Sequence, residues 1–408
     1  MLQTRRSLLL AGAAAGTLMA LPAVAAPPRG KPVPKAGQKT APAATPAQTP
    51  VGPVDTLAKY AVVIDYNTGA TLLEKNADTP NPPSSMTKLM TIYLTFKWLK
   101  EGKLKLGQGL LVSRRAWRKG GSKMFVPLGQ TVSVRNLIRG VFVDSGNDAA
   151  IVLAEGIGGT EEAFAQMMNA EAKKLGMTHS HFMNATGWPA PGHEMSVRDI
   201  ATLSAAIIRD FPEYYHYAGE RTFTYDKIKQ RNRNPLVMDG MADGLKTGHT
   251  DAGGYGEVGS TLRNGRRVIL VLNGLPTWNS RISESKRLMD WAFNAFEDVT
   301  LFGPGVPVAQ AKVWLGAAPD VALVGAAPIV VTLPRGWRAT TKITTDYAAP
   351  VPAPIRKGQK LGRLAISGRG IPTDQASLRA TLVAGADVPR LGLPGRAVAV
   401  LRHYITGA

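Results

Sequence analysis

Between Met86 and Lys100 the chain reads MTKLMTIYLTFKWLK, which is apolar around most of a helical circumference. A helix of that kind is stable only when a domain surrounds it on nearly all sides. Lys88, Thr91 and Thr95 interrupt it as a polar stripe at helical spacing. The fold must therefore be built around this segment, and a chain of 408 residues, 44% of them hydrophobic, has material for two ordinary domains. No apolar run reaches the roughly 20 residues needed to span a bilayer, so the candidate membrane elements are the two ends.

Strand patterns lie on both sides of the helical middle. Ala61 to Asp65 and Ala70 to Glu74 flank Asn67-Thr68-Gly69 as a hairpin. Helices are expected from Thr160 to Leu175, closed by Gly176, and from Ser196 to Asp210, opened by an S-x-x-D cap and stopped before Pro212. Strands return at Gly244 to Gly248, Tyr255 to Leu262 and Arg267 to Asn273, the last two joined at Asn264-Gly265, and an amphipathic helix runs from Ile282 to Phe296. Strands at both ends of a helical region imply an α+β domain over 55–300, with an antiparallel sheet assembled from distant parts of the chain. Beyond Leu301 the segments Val313 to Leu315, Ile329 to Leu333, Thr341 to Thr345, Leu361 to Ile366 and Ser377 to Val383 are short, β-prone and separated by Gly and Pro. They read as a small all-β domain over 301–390.

The ends speak to location. Arg5-Arg6, the apolar stretch Leu8 to Ala20 and the small residues Ala23-Val24-Ala25 form a secretory signal over 1–25. Thr4 to Leu9 fits a twin-arginine export signal and a general-secretion signal equally. Residues 26–54, rich in Pro, Ala, Thr and Lys, are expected to be an extended basic tether. The chain has no cysteine, which excludes thiol nucleophiles, disulfides and cysteine-ligated metals. Its formal net charge of +20 suits an anionic membrane surface or wall polymer, and export removes nucleic acid as a partner. In the tail, 391–408, Ala397, Val398, Val400, Leu401, Tyr404 and Ile405 fall on one helical face opposite Arg396, Arg402 and His403. That short amphipathic helix fits attachment to an anionic membrane or packing on the β domain.

Three motifs carry chemistry. Ser85-Met86-Thr87-Lys88 opens the buried helix, and its three-residue spacing sets Lys88 one turn from Ser85 on the same face. A serine hydroxyl becomes a nucleophile when a neighbour takes its proton, which a lysine does once burial and nearby cations lower its pKa. Ser145-Gly146-Asn147 follows in a turn, and Lys246-Thr247-Gly248 on an expected strand. Each alone is a common pattern, and together in this order they are the set of the class A β-lactamases and penicillin-binding proteins. With their flanks, from Pro83 to Thr91, Asp144 to Ala149 and Asp243 to Thr250, the sequence resembles the low-molecular-mass penicillin-binding D-alanyl-D-alanine carboxypeptidases from about Asp55 to Val388.

The resemblance implies a β-lactamase/transpeptidase-like domain followed by the β domain, and acyl transfer on a peptidoglycan pentapeptide ending in D-Ala-D-Ala in the periplasm. Ser85 would be the nucleophile, Lys88 its base and Ser145 a proton relay to the departing amine. Asn147 would bind the substrate amide, Lys246, Thr247 and Gly248 its terminal carboxylate, and the backbone N–H groups of Ser85 and His249 the oxyanion. Arg281 falls where the family carries an arginine near that carboxylate, though a solvated arginine at a helix start fits as well, and Arg233 stands likewise. β-Lactams would acylate Ser85.

Three rivals are kept. A β-lactamase would need a deacylating glutamate, and no E-x-x-L-N motif lies between Ser145 and Lys246, where Glu194 is the nearby carboxylate of the corresponding loop. A D,D-endopeptidase shares all three motifs, and a non-catalytic wall-binding scaffold would not need them. No metal or other cofactor is expected: His179 and His181 lack a third ligand, and Gly253 to Gly256 lack the following helix of a dinucleotide site.

Overall fold

The computed structural model describes residues 43–406. The expected signal at 1–25 and the first part of the tether lie outside the described residues. Five strands form one antiparallel sheet: β1 (Tyr60–Asp65), β2 (Thr71–Lys75), β3 (Gly244–Thr250), β4 (Gly254–Arg263) and β5 (Arg266–Leu275), in the order β2-β1-β5-β4-β3. The distant hairpins meet where β1 pairs β5, Val62 opposite Val271. Asn264 and Gly265 both have positive φ in the β4–β5 turn, as the tight hairpin requires.

All ten residues of β5 are buried, because both faces of the sheet are covered. Ile269 and Val271 point into a core made with α1 (Lys88–Lys100), α4 (Glu161–Lys174) and α5 (Val197–Asp210). Val268, Leu270 and Leu272 point to the other side, against Leu288 and Met289 of α6 (Trp278–Ala295). The central helix is α1, buried from Lys88 to Phe96, and a 3-10 turn at Ser84–Thr87 leads into it. Caps fix the other helices: Ser196 accepts from the Asp199 N–H at α5, and Thr277 and Ser280 form a capping box at α6. That box starts α6 four residues before the expected Ile282, and Phe296 begins a strand instead of ending the helix.

Two further helices stand where none was expected. α2 (Val134–Phe142) and α3 (Asn147–Gly158) bracket the Val143–Gly146 turn, and α3 is buried over Asn147–Ala154 with no polar face to mark its period. The tether also differs from expectation. Thr45–Ala47 pairs antiparallel with Val54–Thr56, and the Gln48 and Glu74 backbones exchange hydrogen bonds of 2.8 and 2.9 Å at the β2 edge. Backbone pairing of this kind needs no apolar composition, and among the described tether residues Ala47 is fully buried while Val54 packs partly against the same core.

The strands that follow α6 are β6 (Phe296–Phe302), β7 (Pro307–Trp314), β8 (Asp320–Gly325), β9 (Ile329–Pro334), β10 (Thr341–Tyr347), β11 (Val351–Pro352), β12 (Lys360–Gly368) and β13 (Arg379–Ala384). β6 pairs with β9, and the others run β10-β12-β13-β8-β7-β11 around a core of Leu323, Val331, Leu364 and Leu382. This unit is tied to the sheet by Thr68 Oγ1 and Thr332 Oγ1 at 2.6 Å and by Asp298, 3.4 Å from Arg266. The tail forms α7 (Leu393–Thr406), with Pro394 tolerated in its first turn. Leu401, Tyr404 and Ile405 are largely exposed, while the His403 ring meets Trp314 at 5.0 Å. No helix among the described residues is long and apolar enough to cross a membrane.

Candidate active site

The three motifs converge between α1, the α2–α3 turn and the edge strand β3. Lys88 Nζ lies 2.7 Å from Ser85 Oγ and donates to the Thr186 carbonyl at 2.8 Å. Across the site Lys246 Nζ donates to Ser145 Oγ at 2.8 Å and to the Thr247 carbonyl at 3.0 Å. Ser145 has a φ of 57°, a left-handed conformation that aims its side chain at β3 from a turn between two helices. Ser85, Asn147 and His249 line one cleft of about 340 Å³ together with Gly121, Ser122 and Trp188. A larger hollow of about 890 Å³ lies beyond the 249–252 turn, against Lys59 and Lys75, away from the paired serines and lysines.

Both lysines are fully buried, and both are shifted toward the neutral amine. Desolvation dominates for Lys88 and holds it well below the usual ammonium range, the Lys246 and Arg233 cations adding to the effect while Asp148 opposes it. Burial, then Arg233 and Arg281, bring Lys246 down to about 7, with Glu257 opposing.

Backbone approach is close. A Cβ at Gly187 would sit 1.7 Å from the Ser84 carbonyl oxygen, and Gly187 has a φ of +81°. Only glycine fits there, and it lets the segment that supplies the Thr186 carbonyl lie against the turn that carries Ser85. Asn184 organises that segment, its Oδ1 accepting from the N–H groups of Thr186, Gly187 and Trp188. On the opposite wall Asp148 accepts from the N–H groups of Met124, Phe125 and Val126, and Asn147 donates through Nδ2 to the Gly120 carbonyl at 2.8 Å. Thr87 Oγ1 meets His193 Nε2 at 2.8 Å; burial pushes that imidazole down to about 4, so it is neutral, accepting at Nδ1 from the Met183 N–H and donating at Nε2.

Sequence reasoning missed Thr186, Asn184 and Asp148. The Asn184-to-Gly187 spacing of an Asx-type turn is the signal that would have pointed to the first two. Thr247 and Gly248 are buried on β3, and a Cβ on Gly248 would come within 3.0 Å of Ser84 Cβ, so the strand runs hard against the Ser85 turn. Arg281 is 2% exposed, which removes the solvated-arginine reading. Its guanidinium lies 4.0 Å over the Trp278 ring, donates to the Arg233 carbonyl at 3.2 Å and has Nε 3.6 Å from Glu257 Oε2. Arg233 itself is exposed. His179 and His181 stand apart, their backbone N–H groups bonded to the Asp199 carboxylate and the Glu194 carbonyl.

Residues 44–277 match the D-alanyl-D-alanine carboxypeptidase family of peptidases, and residues 296–390 match the penicillin-binding protein 5 C-terminal domain. The D-alanyl-D-alanine carboxypeptidase DacC of Escherichia coli is 38% identical over 347 residues, covering 83% of this chain and 87% of the relative. The crystal structure of penicillin-binding protein 5 from Haemophilus influenzae superposes with a TM-score of 0.73 at 36% identity, over 83% of this chain and 100% of that one. Penicillin-binding protein D2 of Listeria monocytogenes, solved in an ampicillin-bound form, superposes with a TM-score of 0.54 at 32% identity, over 58% of this chain and 98% of that one.

Proposed function

The chain belongs to the D-alanyl-D-alanine carboxypeptidase family of serine peptidases, and we propose that it removes the terminal D-alanine from peptidoglycan stem peptides through an acyl-enzyme on Ser85. The observation that carries this reading is the 2.7 Å contact between Ser85 Oγ and a fully buried Lys88 amine. A lysine so desolvated is neutral enough to accept the hydroxyl proton as Oγ attacks the penultimate carbonyl. Ser85 and His249 border the cleft where the oxyanion would form, and their backbone N–H groups are assigned to it.

The second serine has a different task. Lys246 donates into Ser145 Oγ, which leaves the Ser145 O–H proton free to point at the departing amine of D-alanine. Asn147 takes the substrate amide. Lys246, with Thr247 and Gly248, holds the terminal carboxylate, a fixed cation being suited to that charge, and Arg281 extends the positive field from behind. Water then attacks the ester with Lys88 again as base. A β-lactam enters the same path through its ring amide, and its leaving group stays tethered, which slows the water step.

The domain limits 55–300 and 301–390 are proposed to separate catalysis from the all-β unit. Export to the periplasm and peripheral attachment through α7 follow from the basic N-terminal signal and the exposed apolar side chains of the tail. The test is mass spectrometry of the purified protein after benzylpenicillin, with and without Ser85→Ala. One penicilloyl adduct on the parent and none on the variant is expected; an adduct on the variant overturns the assignment. D-Alanine release from monomeric stem peptides, measured against opening of cross-linked ones, separates carboxypeptidase from endopeptidase action.

A further inference from the structure

The cleft that holds Ser85 is lined unevenly. Of the side chains that border it, only those of Trp188 and Pro189 are apolar; the others are polar, or absent at Gly121 and Gly187. The cleft also has a direction. Along β3 the carboxylate-binding pair Lys246 and Thr247 comes first and the oxyanion residue His249 after them, and the cleft is bordered by His249, Thr250 and Asp251 but by neither member of that pair. It therefore receives what precedes the scissile bond, the acyl half of a substrate, while the departing D-alanine lies toward Lys246.

Trp188 is held from several sides. Asn184 Oδ1 accepts from its backbone N–H at 3.1 Å, and Asn184 Nδ2 donates to its carbonyl at 2.9 Å. Thr186 Oγ1 also accepts from the N–H, at 3.1 Å. Lys119 Nζ stands 4.3 Å from the centroid of the ring, a cation–π contact. The outer rim meets glycine backbone: a Cβ on Gly121 would come within 3.2 Å of Trp188 Cζ3, and one on Gly120 within 3.9 Å of Cη2. Gly121 has a φ of +76°, and its Cβ would also fall 2.8 Å from Asn147 Nδ2, so glycine lets the ring and Asn147 close on the same loop. Trp188 nevertheless keeps 44% of its surface exposed. A large ring fixed by its surroundings and still open to a cleft offers contact area at little entropic cost.

We propose that Trp188 is a specificity-determining residue: its ring is the surface against which the residue preceding D-Ala-D-Ala lays an aliphatic side chain. Which half of a substrate reaches Trp188 follows from Ser85 being the acylated residue, so the assignment rests on that reading. β3 is the edge strand of its sheet, and what it offers the cleft is backbone N–H and C=O groups, which suit the peptide units of an extended substrate. Trp188 and Pro189 suit the side chain. An alanine at that position of the substrate leaves most of the ring open to water, whereas a chain of several methylenes covers it.

The experiment measures kcat/KM for D-alanine release from two peptides, α,ε-diacetyl-L-lysyl-D-Ala-D-Ala and acetyl-L-alanyl-D-Ala-D-Ala, the lysyl side chain being acetylated so that its charge plays no part. Their ratio is read in the parent, in Trp188→Phe and in Trp188→Ala, because a ratio within one preparation does not depend on how much of it is folded. The parent should favour the lysyl peptide by about tenfold, Trp188→Phe should keep most of that preference, and Trp188→Ala should bring the ratio to within about twofold of one. A ratio unchanged in Trp188→Ala, or a parent that treats the two peptides alike, overturns the role of Trp188, since a ring that only packs the Gly120–Ser122 loop would affect both peptides equally. A parent that releases D-alanine from neither peptide overturns the carboxypeptidase reading, and the role of Trp188 with it.

Discussion

Asp148 offers the sharpest test of how the site is held together. Its Oδ1 accepts from the N–H groups of Met124 at 3.0 Å and Ala149 at 2.9 Å, and its Oδ2 from those of Phe125 at 2.9 Å and Val126 at 3.2 Å. Asp148→Asn keeps the shape and one acceptor oxygen, but turns an amide NH₂ toward two of the four buried donors. Hydrogen bonds to a charged group contribute about 1.5–3 kcal/mol each, so losing two costs about 3–6 kcal/mol. In a protein of this size that lowers the melting temperature by about 4–7 °C. The segment released includes Phe125, held at a φ of 66°, and continues from Gly121 and Ser122 in the wall of the cleft. Displacing that wall by an ångström lowers acylation by about 10²-fold. The assay pairs thermal melting with the rate of benzylpenicillin labelling under conditions where the variant is folded. A variant that melts within about 1 °C of the parent and labels at the parent rate would refute the reasoning.

The other expectations concern the chemistry and the tail. Lys88→Ala should fold and acylate at least ~10²-fold more slowly in single-turnover labelling, since a general base contributes on that scale; near-parent rates would remove Lys88 from the mechanism. Lys246→Arg should retain more activity on acyl-D-Ala-D-Ala than Lys246→Ala, because the charge survives, whereas equal losses would point to proton transfer at Lys246. Acylation should fall on the acid side as Lys88 gains a proton and on the alkaline side as Lys246, brought to about 7, loses one, so a profile with no alkaline fall up to about pH 9 contradicts the Lys246 assignment. Deleting Arg396 to Ala408 should abolish salt-sensitive co-sedimentation with anionic vesicles and leave penicillin labelling intact; unchanged sedimentation would sink the anchor.

Local signals made part of this legible in advance. The 3.6-residue period of α5, the Ser196 cap, the helix start at Thr160 and the Asn264-Gly265 turn act within a few residues, and each appears where it was expected. Motif spacing brought Ser85 to Lys88 because one helical turn does so, while Ser145 and Lys246 met only through the recognised set, across 101 residues of chain. What was not legible depends on contacts distant in sequence. The Thr186 carbonyl acts through its backbone and carries no side-chain signature. Glu257 belongs to no motif, and its burial beside Arg281 follows only from the packing of α6 on the sheet. α3 is Ala-rich and surrounded, so neither amphipathicity nor a polar face marked it.

The two lysines show how one residue type divides into two roles. Both are buried, so desolvation pushes both toward the amine. What differs is the charge beyond. Lys88 faces the cations of Lys246, Arg233 and Lys119, and its opposing carboxylate, Asp148, already accepts from four backbone N–H groups. Lys246 faces the cations of Arg233 and Arg281, with Glu257 opposing them. The proton each lysine needs differs: a base must start without one, and a carboxylate holder must keep one. A protonated Lys246 is itself one of the charges that hold Lys88 toward the amine. The neutral amine is thereby left at 2.7 Å from Ser85 Oγ and the cation at 2.8 Å from Ser145 Oγ, the arrangement that acyl transfer to Ser85 requires.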